Sequence, residues 1–330
     1  MAQALLISTA STPRDFYWDD CTRIKRGVST DAFRIHTTTD DPEVADVIIF
    51  FEPEDPYLAS DVRNHPYTRR YADKTFLVDP SDRIVPFLPG IYASVQRGQY
   101  DRSRVRAGFF PAVCDHDWIT CDATAGPPEL LFSFVGDARG VPVREAIVKI
   151  RHARALIRDT ADDPANAHGH PAEFYGRFHR HFAEAMVNSH FTLCPRGAGT
   201  STFRLFETMK AGRVPVILSD DWVAPEGPVW PSFSLSVRER DVKLLPEILE
   251  AHEERAAGMG RMAREQWELW FSESASFHRI VEWCLSIQQS RRLPERLMRV
   301  AVLWQLLEPF NFRRKLVPAL RGYARQARAQ

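Results

Sequence analysis

The chain has 330 residues, 44% of them hydrophobic and 26% charged. This is the make-up of an ordinary globular protein, and it excludes a disordered, collagen-like or coiled-coil chain. At ~100–200 residues per domain, the length suggests two domains, and its 43 basic against 43 acidic side chains exclude a dedicated nucleic-acid binder.

The opening stretch, MAQALLISTASTPRDFYWDD, has no basic leader and only a short apolar run, so it does not read as a signal peptide. No run approaches the ~18 apolar residues of a membrane span. Five scattered cysteines (Cys21, Cys114, Cys121, Cys194 and Cys284) form no CxxC pair. They read as reduced thiols of a cytoplasmic protein.

Leu5–Ser8, Val47–Phe51 and Thr75–Val78 are short, rich in β-branched or aromatic residues, and followed by polar loops. They predict buried parallel strands. Cys121–Glu129, CDATAGPPE, is rich in Gly and Pro. The expected organisation is a first domain over 1–122, a linker at 123–129, a second domain over 130–290 and a basic tail over 291–330. In the second domain Leu131–Val135 predicts a strand, 142–158 and 172–189 predict helices, and His190–Cys194 predicts a strand. A Gly-rich turn, a helix from about Ser201 to Ala211 and a strand at Val214–Leu218 follow. The repetition implies an α/β fold with two doubly wound sheets, ligands lying at the carboxyl ends of their strands.

The densest signal is His190–Trp222, HFTLCPRGAGTSTFRLFETMKAGRVPVILSDDW. Pro195 stops the strand, and Gly197 and Gly199 allow tight turns and close ligand approach. Thr200 or Ser201 can cap the next helix. The free N–H groups and dipole at that helix start suit a phosphate, and Arg196 adds a guanidinium fork. Ser201, Arg204 and Glu207 share one helix face, with Leu205, Phe206 and Met209 on the other. A carboxylate two turns from a diphosphate suits ribose hydroxyls, and Gly212 ends the helix. The absence of GxGxxG after the first strand argues against a dinucleotide cofactor.

This block resembles the exostosin family, glycosyltransferase family 47, through CPRG (194–197), STFRLFE (201–207) and AGRVPVILSD (211–220). The similarity extends to WELWFSES (267–274) and LLFSFVGDARG (130–140); it is thinner in ADVIIFFEP (45–53) and VRNHPY (62–67). The resemblance implies a GT-B fold, two Rossmann-like domains facing a cleft. It also implies an inverting transfer from a nucleoside-diphosphate sugar, expected to be UDP-linked, to a glycan or glycolipid acceptor, with no obligatory metal or other cofactor. It places Arg196, Arg204 and Glu207 at the donor, and lends Arg139 or Arg144 a role on the donor phosphates. A second Glu eight residues after Glu207, carried by some GT-B enzymes, is replaced here by Pro215.

An inverting transfer needs a base. Candidates on the first domain's loops are Glu52, Glu54, Asp55, His65, Asp79 and Asp82, with His65 and Asp82 preferred; Asp220 and Asp221 are alternatives from the second domain. A first domain lacking the base would make the chain a non-catalytic nucleotide- or glycan-binding subunit. Asp115-His116-Asp117 is a DxD string, and His168, His170, His179, His181 and His190 cluster in sequence, but neither spacing makes a convincing metal site. Trp222 and Trp230 are candidates to stack on a sugar or base.

The tail holds ten Arg/Lys and two Glu, net +8, leaving 33 basic against 41 acidic residues in 1–290. Its Glu295–Glu308 stretch predicts a helix packed on protein. Arg313, Arg314, Lys315, Arg321, Arg325 and Arg328 suit anionic lipid head groups or an anionic glycan, which would place the protein peripherally at a membrane.

Overall fold

The computed structural model describes residues 1–10, 19–53, 59–82, 85–112, 119–121, 126–163 and 172–298, with the backbone alone over 172–179. Glu54, Asp55, the DxD string, His168, His170 and the tail beyond Met298 lie outside them. The chain forms two compact units. The first comprises Met1–Ala112, Trp222–Glu226 and Glu273–Gln330; the second comprises Val113–Asp221 and Gly227–Ser272.

The first unit is built on six parallel strands: β1 (Gln3–Ser8), β2 (Thr37–Thr38), β3 (Val47–Phe51), β4 (Thr75–Asp79), β5 (Gly90–Tyr92) and β6 (Val105–Ala107). Their order is β2-β1-β3-β4-β5-β6. Every residue of β3, VIIFF, is buried, as expected of a parallel strand covered on both faces. Helix α1 (Asp20–Thr30) starts where the Asp19 carboxylate accepts the Thr22 N–H at 2.9 Å. Short helices α2 (Ser60–Asn64) and α3 (Pro66–Arg70) precede β4.

The second unit has β7 (Leu130–Gly136), α4 (Pro142–Ile147), β8 (Ala155–Asp159), α5 (Ala172–Val187), β9 (Ser189–Pro195), α6 (Phe203–Lys210), β10 (Val214–Leu218), β11 (Leu235–Ser236), α7 (Leu245–Glu250) and α8 (Glu253–Trp270). Its sheet is wholly parallel, in the order β11-β10-β9-β7-β8. Two separate parallel sheets, each with its own helices, make this an α/β chain of two units.

Three expectations are corrected. The helix expected over 142–158 stops at Ile147, and Ala155–Asp159 is instead an edge strand. Its three apolar-side residues are only half-buried, so their run mimics a helix stripe. Helix α6 starts at Phe203, not Ser201, and Thr202, its cap, makes no side-chain capping bond. The domain limits also move. Helix α9 (Glu273–Ser290) belongs to the first unit, where it packs on α1, β3, β5 and β6. Gly27 permits this, because a Cβ there would lie 2.6 Å from the Glu273 carbonyl oxygen. Residues Trp222–Glu226 also join the first unit, with Glu226 accepting from the Tyr100 hydroxyl at 2.6 Å and Arg102 Nε at 2.9 Å.

Gly212 does end α6. It takes φ +66°, its N–H donates to Met209 O, and the Arg213 N–H donates to Thr208 O. This pair of bonds closes a helix around a left-handed residue.

Past α9, Glu295 is fully buried against Arg104, with Nη2 donating to Oε1 at 2.6 Å and Nε to Oε2 at 3.3 Å. Arg104 also donates to the carbonyls of Pro86 and Phe87. A buried ion left without its partner is costly. Glu295→Ala should therefore lose ~3–5 kcal/mol in urea unfolding. Arg70→Ala, which breaks an exposed pair with Glu43, should lose less than ~1 kcal/mol.

Candidate active site

The loops at the carboxyl ends of β7, β9 and β10 converge within the second unit. The Arg196 N–H donates to Leu218 O at 3.1 Å, joining the ends of β9 and β10. Arg144, from α4, donates through Nε to Arg196 O and through Nη1 to Asp137 O, both at 2.9 Å. It thereby ties the loop after β7 to the loop after β9. Gly197 makes room for it, since a Cβ at 197 would lie 3.1 Å from Arg144 Nη2. Gly197 and Gly199 do not have positive φ, so the need for glycine at 197 is space, not a left-handed turn.

The side chain of Arg196 is paired. Its Nε donates to Glu239 Oε1 at 2.8 Å, and Glu239 and Asp220 exchange backbone-to-carboxylate bonds. Arg139 does not reach this junction. It is exposed and donates to Asp137 through Nη2 at 2.8 Å, which holds the Asp137 carboxyl below its ordinary range. Of the two arginines expected to serve the donor phosphates, Arg144 is the one at this junction.

Thr200, Ser201 and Thr202 are buried ahead of α6, and Ser201 Oγ finds no partner among the described residues. Every residue of α6 from Arg204 to Lys210 is buried. The face carrying Ser201, Arg204 and Glu207, expected at the donor, is buried. Arg204 is 5% exposed and Glu207 0%. Arg204 Nη2 donates to Val135 O at 2.6 Å, and the guanidinium lies over Phe134 at 5.2 Å and Phe182 at 5.0 Å. Gly136 leaves the space, as a Cβ there would be 2.9 Å from Arg204 Nη2. Nε and Nη1 find no partner among the described residues. Burial pulls this guanidinium below its ordinary range, with Cys194 and Glu207 acting the other way. Cys194 itself is pushed up to about 12 by burial and is no nucleophile. Trp230 packs in a cluster with Phe233 and Phe271, at 5.1 and 6.2 Å, so it fills core rather than stacking on ligand.

In the first unit, His65 caps α3, its Nδ1 accepting the Tyr67 N–H at 3.2 Å. Partial burial lowers its pKa. The neutral ring then carries its proton on Nε2 and has no lone pair to accept another. This capping geometry conflicts with the expected base role of His65. Asp82 is exposed on the loop after β4. Glu52, at a left-handed φ of +56°, accepts from the Ser8 hydroxyl and from the Cys21 N–H. Asp20, which sequence reasoning passed over, accepts the Ala112 N–H at 2.8 Å. Neither Asp20 nor Glu239 carries a periodic or motif signal.

With this geometry in view, residues 123–252 match the model of the Exostosin GT47 domain. The chain is 43% identical over 70 residues to the Exostosin-1 homolog of Caenorhabditis elegans, covering 21% of this chain and 18% of that one. It is 32% identical over 126 residues to Exostosin-1b of Danio rerio, covering 37% and 16%. Among solved structures, TarM aligns over 73% of this chain and 54% of its own, at 11% identity and a TM-score of 0.42. Residues 123–252, which include β7 to α7, are thus similar to the Exostosin GT47 domain, and the chain spans less than a fifth of the length of these curated relatives.

The buried Asp20 makes a pH prediction. Its carboxyl is pushed up to about 7, first by burial and then by Glu52, Asp19 and Asp79. An acid whose pKa is higher folded than unfolded binds its proton more tightly in the folded state. Its contribution is full below about pH 4 and is lost as pH rises to about 7. Asp20→Asn should match the wild type in urea at pH 4. At pH 8 it should exceed the wild type by more than ~1.4 kcal/mol, the worth of one pKa unit.

Proposed function

We propose that the chain is a glycosyltransferase that moves a sugar, with inversion, from a nucleoside diphosphate to a glycan or glycolipid acceptor. The exostosin domain supports the class. The observation that carries the donor site is Arg204, a buried guanidinium with two nitrogens lacking partners among the described residues, in the same segment as the Ser201 hydroxyl, which likewise lacks one there. Buried donors of this kind are normally satisfied, and a diphosphate supplies the acceptor oxygens and negative charge they lack.

In this reading the diphosphate lies against the loop 196–202 and the start of α6. Arg204 offsets the charge that grows on the leaving group as the glycosidic bond breaks. Arg196 joins it by exchanging Glu239 for phosphate, and Glu207 holds the ribose. Arg144 positions the two loops without touching the reacting atoms. Asp82 takes the proton of the acceptor hydroxyl. The UDP preference, the independence from metal and the attachment of the basic tail to anionic lipid belong to the same proposal.

Thermal unfolding with UDP, GDP and CMP tests it. A nucleotide at 100 times its dissociation constant should add ~2.7 kcal/mol to the wild type. Arg204→Met should abolish the response, and Arg139→Ala should keep it. A response lost in Arg139→Ala but kept in Arg204→Met would overturn the assignment.

A further inference from the structure

His36 precedes β2, the edge strand of the first unit, and faces α9 of the same unit. On α9, His278 and Glu282 stand four residues apart, the spacing that puts two side chains on one helix face. One ligating atom from each of the three lies within 4.8 Å of the others. His36 Nε2 is 2.8 Å from Glu282 Oε1. The two imidazoles stack at 4.9 Å between centroids, and His278 stacks on Phe33 at 4.1 Å. His278 is only 5% exposed, yet its Nδ1 finds no partner among the described residues. Such a buried orphan nitrogen calls for a partner.

We propose that His36, His278 and Glu282 bind one divalent cation of the zinc class, which clips α9 to the edge of the first unit's sheet. Two imidazoles with one carboxylate suit zinc, whereas calcium and magnesium prefer all-oxygen ligands. Three protein ligands leave a fourth tetrahedral position for water. The Glu282 side chain is half-exposed and gives the ion its entry. Nearby, Asp31 and Arg279 offset one another in charge.

The protons balance as follows. Without metal, His36 Nδ1 accepts the Ala2 N–H at 3.2 Å, so the ring proton sits on Nε2 and is donated to Glu282. Metal takes the Nε2 lone pair, the proton moves to Nδ1, and the Ala2 hydrogen bond is given up. Two hydrogen bonds, Ala2 N–H to His36 Nδ1 and His36 Nε2–H to Glu282, are exchanged for metal bonds to His36 Nε2 and a Glu282 carboxylate oxygen. This site lies wholly in the first unit and has no part in the donor chemistry of the second.

The test uses the full chain, stripped with chelator and titrated with zinc chloride at pH 7.5, by calorimetry and thermal unfolding. The wild type should take up one zinc per chain with a rise in Tm. His278→Phe keeps a ring against Phe33 but removes the nitrogens, and Glu282→Gln removes the charge at a half-exposed position; each should weaken binding at least tenfold. If His278→Phe does not fold, Glu282→Gln decides. No uptake by the wild type, or uptake unchanged in these variants, would show that the cluster is packing alone.

Discussion

A guanidinium held out of water governs the second unit. Arg204 sits on a largely buried helix, between two aromatic rings, with one nitrogen bonded to Val135 O and two without partners among the described residues. Arginine stays charged under such conditions, so the burial is unfavourable unless something compensates it. Glu207, one turn on, compensates part. The remainder is an electrostatic demand for an anion, and it arises where the sheet's carboxyl-end loops meet.

Much of the surrounding structure serves that demand. Gly136 lacks the Cβ that would strike the guanidinium, and Gly197 lacks the one that would crowd Arg144. Arg144 donates to the carbonyls of Asp137 and Arg196 and so ties the two loops together. Glu239 holds Arg196 in reserve. The first unit meets a different constraint, since α9 must be retained on α1 and the sheet. Close packing at Gly27, the Arg104–Glu295 pair and the His36–His278–Glu282 cluster all act there.

Sequence made the central strands legible because both faces of β3, β9 and β10 are covered, leaving short uninterrupted apolar runs. The Gly212 stop was legible because a left-handed residue must follow α6. Edge strands were not: β8 is half-exposed, and its residues continue the apolar pattern of α4. The helix face from Ser201 to Glu207 was legible, but its burial was not, because polar residues at helical spacing read as a surface stripe. Arg144 was noticed only as an alternative to Arg139, since its partners are backbone carbonyls that leave no pattern. His36 and Glu282 are 246 residues apart, and only the return of α9 to the first unit joins them.

The central claim is that the second unit binds a nucleoside diphosphate at the junction Arg144 ties and Arg204 underlies. Amide hydrogen exchange of the full chain, with and without UDP or GDP, tests it most directly. The account predicts slowed exchange confined to residues 137–144 and 196–204. Slowing elsewhere, with these segments unchanged in the presence of a nucleotide that binds, would contradict it.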